Sequence, residues 1–429
     1  MNANTLSRPL QRKSAGHTSL WRQRHTWRRA LTAAAALLGL LLLLGACSEQ
    51  PRQPVGRLDT PEHHTLRGND FLAQGDWKEA QASFAQALSL NAAYAPALAG
   101  RAVVEAHEAT NPGLAASARK DQTEKAEDTL DAAESNARDD QERLAVHIAG
   151  IRVYQLAKPD DWLDDAEDHY NDAVKLDKNR SDPRPYFYMA RAYRDSFDLG
   201  RAGQMYRQVL SMNRGLTGEA DRELALTQQI ERAAPGTVHG KAVAFAETIS
   251  RADVAALFVE ELQLARLYNR DGSASTATGF RPPQQQQFQT ERMQKAPDVT
   301  DIEEHPLRAD IRQVIDLGVS GLQPDPSHKF HPDEKISRAE FAIMVQDILA
   351  RVTGEQGLKT RYVGQASPFR DVRADLPYFN AVQTMVNRNL MAPKDSIRGL
   401  FAPTEPLTGA DALLVIRLLK NELRSYLRS

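Results

Sequence analysis

Two hydrophobic periods and one unbroken apolar run organise this chain. The run, Ala33–Leu44, is shorter than the ~20 residues a membrane-spanning helix needs. From Pro61 to about Thr237 apolar residues recur at intervals of three and four, alanines are dense and β-branched residues are sparse, which predicts a series of helices. Within that stretch a small–bulky–small core returns at spacing four then three: Ala80, Phe84, Ala87; then Ala126, Leu130, Ala133; Ala166, Tyr170, Ala173; and Ala202, Tyr206, Val209. Small residues let two helices approach closely while the bulky residue fills the gap between them. The second half carries another pattern. Ile249-Ser250-Arg251-Ala252-Asp253, Ile336-Ser337-Arg338-Ala339-Glu340 and Leu407-Thr408-Gly409-Ala410-Asp411 each open an amphipathic segment. Ser250, Ser337 and Thr408 suit helix N-caps. An acidic residue three positions on predicts a capping box at each.

The first-half repeat resembles the tetratricopeptide repeat. Gly68, Phe71, Gly75, Trp77, Ala80, Phe84 and Ala87 match its signature in the first unit, and Tyr186, Met189, Ala190, Tyr193, Ala202 and Tyr206 match it in the last. The second unit, around Ala126, lacks a clear first helix and follows a long stretch, 106–124, that contains Asn111-Pro112-Gly113. The unit spacings also exceed the family period of ~34. The aromatic residues read as packing. Solenoids of this kind offer a concave surface to peptides or helices, and Arg101, Arg191 and Arg194 are candidates to line it, although arginines on a helix more often form a solvated face.

The order of motifs upstream of the later two signatures also coincides. Val299-Thr300-Asp301-Ile302, a helix over 307–317, Gly318-Val319 and Phe330-His331-Pro332-Asp333 precede the second. Phe369-Arg370-Asp371-Val372, Tyr378, a helix over 379–388, Asn389-Leu390-Met391 and Phe401-Ala402-Pro403-Thr404 precede the third. This resembles the S-layer homology (SLH) domain, with complete copies at 298–351 and 368–429 and a degenerate first copy at 236–268, whose last helix is expected over 249–265. The resemblance implies three copies closed into a pseudo-trimer whose grooves bind cell-wall or surface polysaccharide, often bearing an acidic ketal. Arg251 and Arg338 match the arginine of the family signature. At a helix N-terminus a guanidinium fork is suited to a carboxylate, although capping explains the local pattern equally well. Tyr378 matches the family's aromatic, a candidate sugar platform. Asp301 and Asp371 match its aspartate, as ligand contacts or as caps. Gly409 replaces the third arginine, so the third groove is expected to bind poorly.

Upstream, Leu44-Gly45-Ala46-Cys47 closes the apolar run behind Arg22, Arg24, Arg28 and Arg29, the layout of a secretory signal. It resembles the lipobox of bacterial lipoproteins. That implies a signal peptide over 1–46, a lipid on Cys47 and, with Ser48 next, the outer membrane, most simply on its periplasmic face; an uncleaved signal anchor is the alternative. A flexible tether over 47–60 and linkers at 269–297 and 352–367 complete the organisation around the helical repeats of 61–235.

Composition narrows the function classes. Cys47 is the only cysteine, so no intramolecular disulfide or Cys-based zinc site can form. Residues 1–46 hold seven of the 54 basic residues and none of the 56 acidic ones, leaving 47 against 56, a net charge of −9. An acidic body argues against nucleic acid as a partner. No phosphate loop, nucleophile elbow or zinc-protease motif occurs. His63-His64 and His328/His331 read as solvated polar residues. No metal and no cofactor beyond the lipid is therefore expected. The sequence reads as an all-α, non-catalytic envelope lipoprotein, with membrane, polysaccharide and an unidentified protein on the solenoid's concave face as partners. An accessory protein of a secretion, pilus or polysaccharide-export complex and a glycan-active enzyme are the rival readings.

Overall fold

A computed structural model describes residues 51–268 and 299–427; the signal region, Cys47 and the whole 269–297 linker lie outside them. The described residues form seventeen α-helices and no strand. None of these helices is long and apolar enough to cross a membrane.

Four antiparallel hairpins come first: α1 (Pro61–Gln74) with α2 (Trp77–Leu90), α3 (Ala95–Glu108) with α4 (Ala116–Asn136), α5 (Asp140–Ala157) with α6 (Trp162–Leu176), and α7 (Arg184–Asp195) with α8 (Leu199–Met212). The first helices of successive hairpins also touch, α1 to α3, α3 to α5 and α5 to α7, which is how a solenoid propagates. All four small–bulky–small cores lie on second helices. Ala80, Ala126, Ala166 and Ala202 are completely buried, as are Phe84 and Tyr206 between them and their neighbours. The expectation that the second unit has no clear first helix is corrected. Ala95–Glu108 is that helix, buried along most of its length because it is packed by α1, α2, α4 and α5 at once. An all-round apolar helix has no amphipathic stripe, so the periodic signal is weak where burial is greatest. In the stretch read as a tether, the Arg52 amide donates to Ser89 O and the Arg52 guanidinium pairs with Asp59.

A ninth helix, α9 (Thr217–Ala233), covers α8 and passes the solenoid on to the C-terminal half by packing on α16 (Gly409–Glu422). Leu199, Ile230 and Ala233 belong to the same apolar core as the C-terminal helices, and Gln229 Nε2 donates to Asp411 Oδ1 at 2.8 Å. Arg191 and Arg194 are engaged in ion pairs. Both bond Glu223 of α9, and Arg194 also bonds Asp195, so they fasten the end of the solenoid.

The C-terminal half contains α10 (Val238–Val243), α11 (Arg251–Ala256), α12 (Leu264–Tyr268), α13 (Arg308–Asp316), α14 (Arg338–Thr353), α15 (Phe379–Asn387), α16 and α17 (Arg424–Leu427). The single helix expected over 249–265 is interrupted. After Ala256 it widens into a π turn over Leu257–Glu261 and breaks at Gln263, which has φ +57°. Within the π turn the Glu261 carboxylate accepts hydrogen bonds from the Gly236 and Thr237 amides and from the Thr237 hydroxyl, tying it to the segment before α10.

The Ser250 capping box has a partner the sequence did not suggest, His239, whose Nε2 makes an ion-pair contact at 3.4 Å with Asp253. Burial pushes the Asp253 carboxyl up, but His239, the Ser250 amide and the Ser250 hydroxyl outweigh it and hold the carboxyl down at about 2. Its folded pKa therefore lies below the ~3.9 of an unfolded aspartate. The resulting stabilisation, ~2 kcal/mol, is present above that value and is lost as pH falls through about 2. Asp253→Asn should lower stability at pH 7, and the gap to the wild type should narrow by about 1 kcal/mol at pH 3. Urea unfolding at the two pH values measures this; a gap independent of pH would refute it.

Candidate functional site: a three-seam ring

The three signatures meet at one point. Ile336 N donates to Ile249 O at 3.1 Å, Leu407 N to Ile336 O at 2.8 Å, and Ile249 N to Leu407 O at 3.1 Å. The same position of each copy thus binds the next around a closed cycle, the bonding pattern of a pseudo-threefold axis. All three side chains are buried. Phe258 of the first copy stacks on Phe341 of the second, with centroids 5.7 Å apart.

Each seam joins the signature of one copy to the loop of the next. In the first, the Arg251 amide donates to Glu334 O and the Ala252 amide to Pro332 O. In the second, Arg338 and Ala339 repeat this toward Glu405 O and Pro403 O. The arginine side chains follow. Arg251 lies over the Phe330 ring at 4.9 Å and donates to the carbonyls of Phe330, Gly321 and Gln323. Arg338 lies over Phe401 at 4.8 Å and donates to Phe401 O and Ala392 O, with Asp411 3.5 Å away. Asp301 grips the same loop from within its own copy, accepting from the Phe330 and His331 amides. Asp371 does so from Phe401 and Ala402. Each Phe-x-Pro loop is therefore held at its amides by an aspartate and at its phenylalanine carbonyl by the preceding copy's arginine. The clamp fixes His331 and Ala402 at φ +56° and +60°, a conformation unfavourable for any residue with a side chain.

This placement corrects two expectations. The aspartates cap no helix. The arginines do not present an open fork to an anion: Arg338 is only 4 % exposed, and its donors face carbonyls. Burial lowers its pKa, opposed by Asp411, while Arg251 is less enclosed. Tyr378 is half-buried against the core at the N-terminus of α15. The third seam differs in kind. Gly409 N donates to Ala246 O, and the end of α10 occupies the space where the other seams have an arginine on a loop.

A groove of about 470 Å³ opens at the first seam, lined by Asp301, His331, Pro332, Asp333 and Glu334. Its rim is acidic, so it does not favour the acidic ketal that the family resemblance implied. A second groove, about 650 Å³, lies in the solenoid between α2, α3 and α4. Arg101 lines it with Lys78, Glu105 and Lys125. It is lined by the second helices α2 and α4 and by α3, the first helix of the second hairpin.

Residues 368–413 match the family model of the S-layer homology domain. The matched SLH segment runs from the Phe369-Arg370-Asp371-Val372 motif to the start of α16, so it covers the third copy's loop and signature. SLH domains bind cell-wall polymers, and the match assigns the chain a cell-envelope or surface association. No curated protein matches the chain.

Proposed function

We propose that the protein is a non-catalytic envelope lipoprotein, held at the outer membrane by a lipid on Cys47, whose SLH ring binds a wall or surface polysaccharide. The closed three-seam ring built around an SLH match carries this reading. The first seam is the favoured binding groove: the 470 Å³ groove opens beside it, and Arg251 is less enclosed than Arg338. Its carboxylates favour a neutral or amino-sugar polymer over a strongly anionic one. Asp301 lines that groove and shapes it by holding the loop amides with both its oxygens. The solenoid, packed on the ring through α9, sets the distance between membrane and glycan, and its tetratricopeptide-like hairpins provide the surface for a protein partner, with the 650 Å³ groove as the candidate contact.

The full chain should co-sediment with purified sacculi that retain their attached polymers and fail to do so once those polymers are stripped. Glu334→Lys at the exposed rim should change the pelleted fraction severalfold without loss of helicity. Absence of pelleting with both preparations would reject the glycan role. Mass spectrometry of mature protein with an unmodified Cys47 would reject the anchor.

A further inference from the structure

Three donor atoms converge where the solenoid's second and third hairpins meet. His147 Nδ1 of α5 lies 3.0 Å from His169 Nδ1 of α6, and Glu134 Oε1 of α4 lies 3.8 Å and 3.6 Å from them. Among the described residues this is the one group of three metal-type ligands whose donor atoms lie together. The histidines that stand out in the sequence are paired otherwise, His64 with Asp59 and His331 with Asp325.

We infer that Glu134, His147 and His169 form a binding site for a divalent transition cation of the zinc type, bridging α4, α5 and α6. Bonds of about 2.0–2.2 Å set at tetrahedral angles place neighbouring donor atoms roughly 3.3–3.5 Å apart. The three observed separations straddle that value, so sub-ångström shifts would close the triangle on an ion. Two Nδ1 atoms at 3.0 Å can share only one proton. With both ring protons moved to Nε2, the two lone pairs face one point, and a cation takes the place of the shared proton. Imidazole and carboxylate donors suit zinc and its neighbours.

The surroundings were built to hold the rings. Gly150 of α5 leaves the room that the His169 ring fills, since a Cβ there would lie 2.5 Å from Nδ1. Tyr154 stacks on the same ring, centroids 5.5 Å apart. The side chain of Glu134 is 33 % exposed, which leaves a fourth position to water. Such an ion would brace the second and third hairpins against each other.

Cobalt(II) added to the full chain in chelator-treated buffer tests this. One equivalent should give the visible bands of a tetrahedral site, and zinc(II) should displace it. Glu134→Gln and His147→Gln, each checked for unchanged helicity by circular dichroism, should weaken cobalt binding at least tenfold. Calcium(II) should give no binding, since this donor set is nitrogen-rich. Absence of stoichiometric cobalt binding by the wild type overturns the proposal, whatever the variants do. So does tight binding that persists in either folded variant, because the ion would then sit on other residues. Neither result bears on sugar binding by the ring, which sedimentation measures separately.

Discussion

Arg338→Ala is expected to destabilise the folded protein by about 3–5 kcal/mol, the range for removing one partner of a buried charged network. The guanidinium is nearly inaccessible and joins two copies of the ring. Its loss orphans Phe401 O and Ala392 O, leaves the Asp411 carboxylate without a nearby cation and removes the contact over the Phe401 ring. Each unsatisfied buried acceptor alone costs ~1–3 kcal/mol. Arg251→Ala should cost less, about 1–2 kcal/mol, because its outer nitrogens reach water, which can replace the lost partners. Guanidinium unfolding of the full chain measures both. The contrary result is just as informative: near-wild-type stability of Arg338→Ala, with loss of polysaccharide sedimentation, would return that arginine to the role of ligand contact that its motif suggested.

How far the sequence reaches depends on how local each interaction is. Ser250 with Asp253 and Ser337 with Glu340 form complete capping boxes, readable because all the partners lie within four residues. The third signature reads alike, yet only half its box forms. Thr408 accepts from the Asp411 amide, but the Asp411 carboxylate turns to Gln229 and Arg338, both distant in the chain. The arginines themselves were legible as a motif and illegible as a mechanism, since their partners lie at least 54 residues away. The repeating alanines announced the solenoid because packing imposes their spacing. The Glu134, His147 and His169 cluster left no such trace: one donor comes from each of three helices, and no spacing rule connects them. What the chain spells out is the periodic and the adjacent; the seams, the cluster and the junction through α9 emerge only when the helices stack.

Gly409→Ala should be at least as damaging as loss of an arginine, about 3 kcal/mol or more, because the obstacle is backbone. A Cβ at Gly409 would lie 1.7 Å from Val243 O, a contact that no rotamer change can relieve. Overpacking against movable side chains costs ~1–3 kcal/mol; here either α10 or the start of α16 must retreat. Retreat breaks the Gly409 N to Ala246 O bond and strains the adjoining cycle at Leu407, which donates to Ile336 O and accepts from Ile249 N. The first two seams tolerate a side chain at this position because a Phe-x-Pro loop faces them and the arginine lies across it. The third seam has α10 instead, so glycine there is a condition for closing the ring rather than a lapse from the motif. Hydrogen exchange distinguishes this from general destabilisation. In the variant, the amides of Ile249, Leu407 and Gly409 should lose most of their protection, while that of Ala80, in the first hairpin, should keep its own. Unchanged exchange at Leu407 would mean that the ring does not depend on this seam for closure, and the cyclic account of its stability would fail.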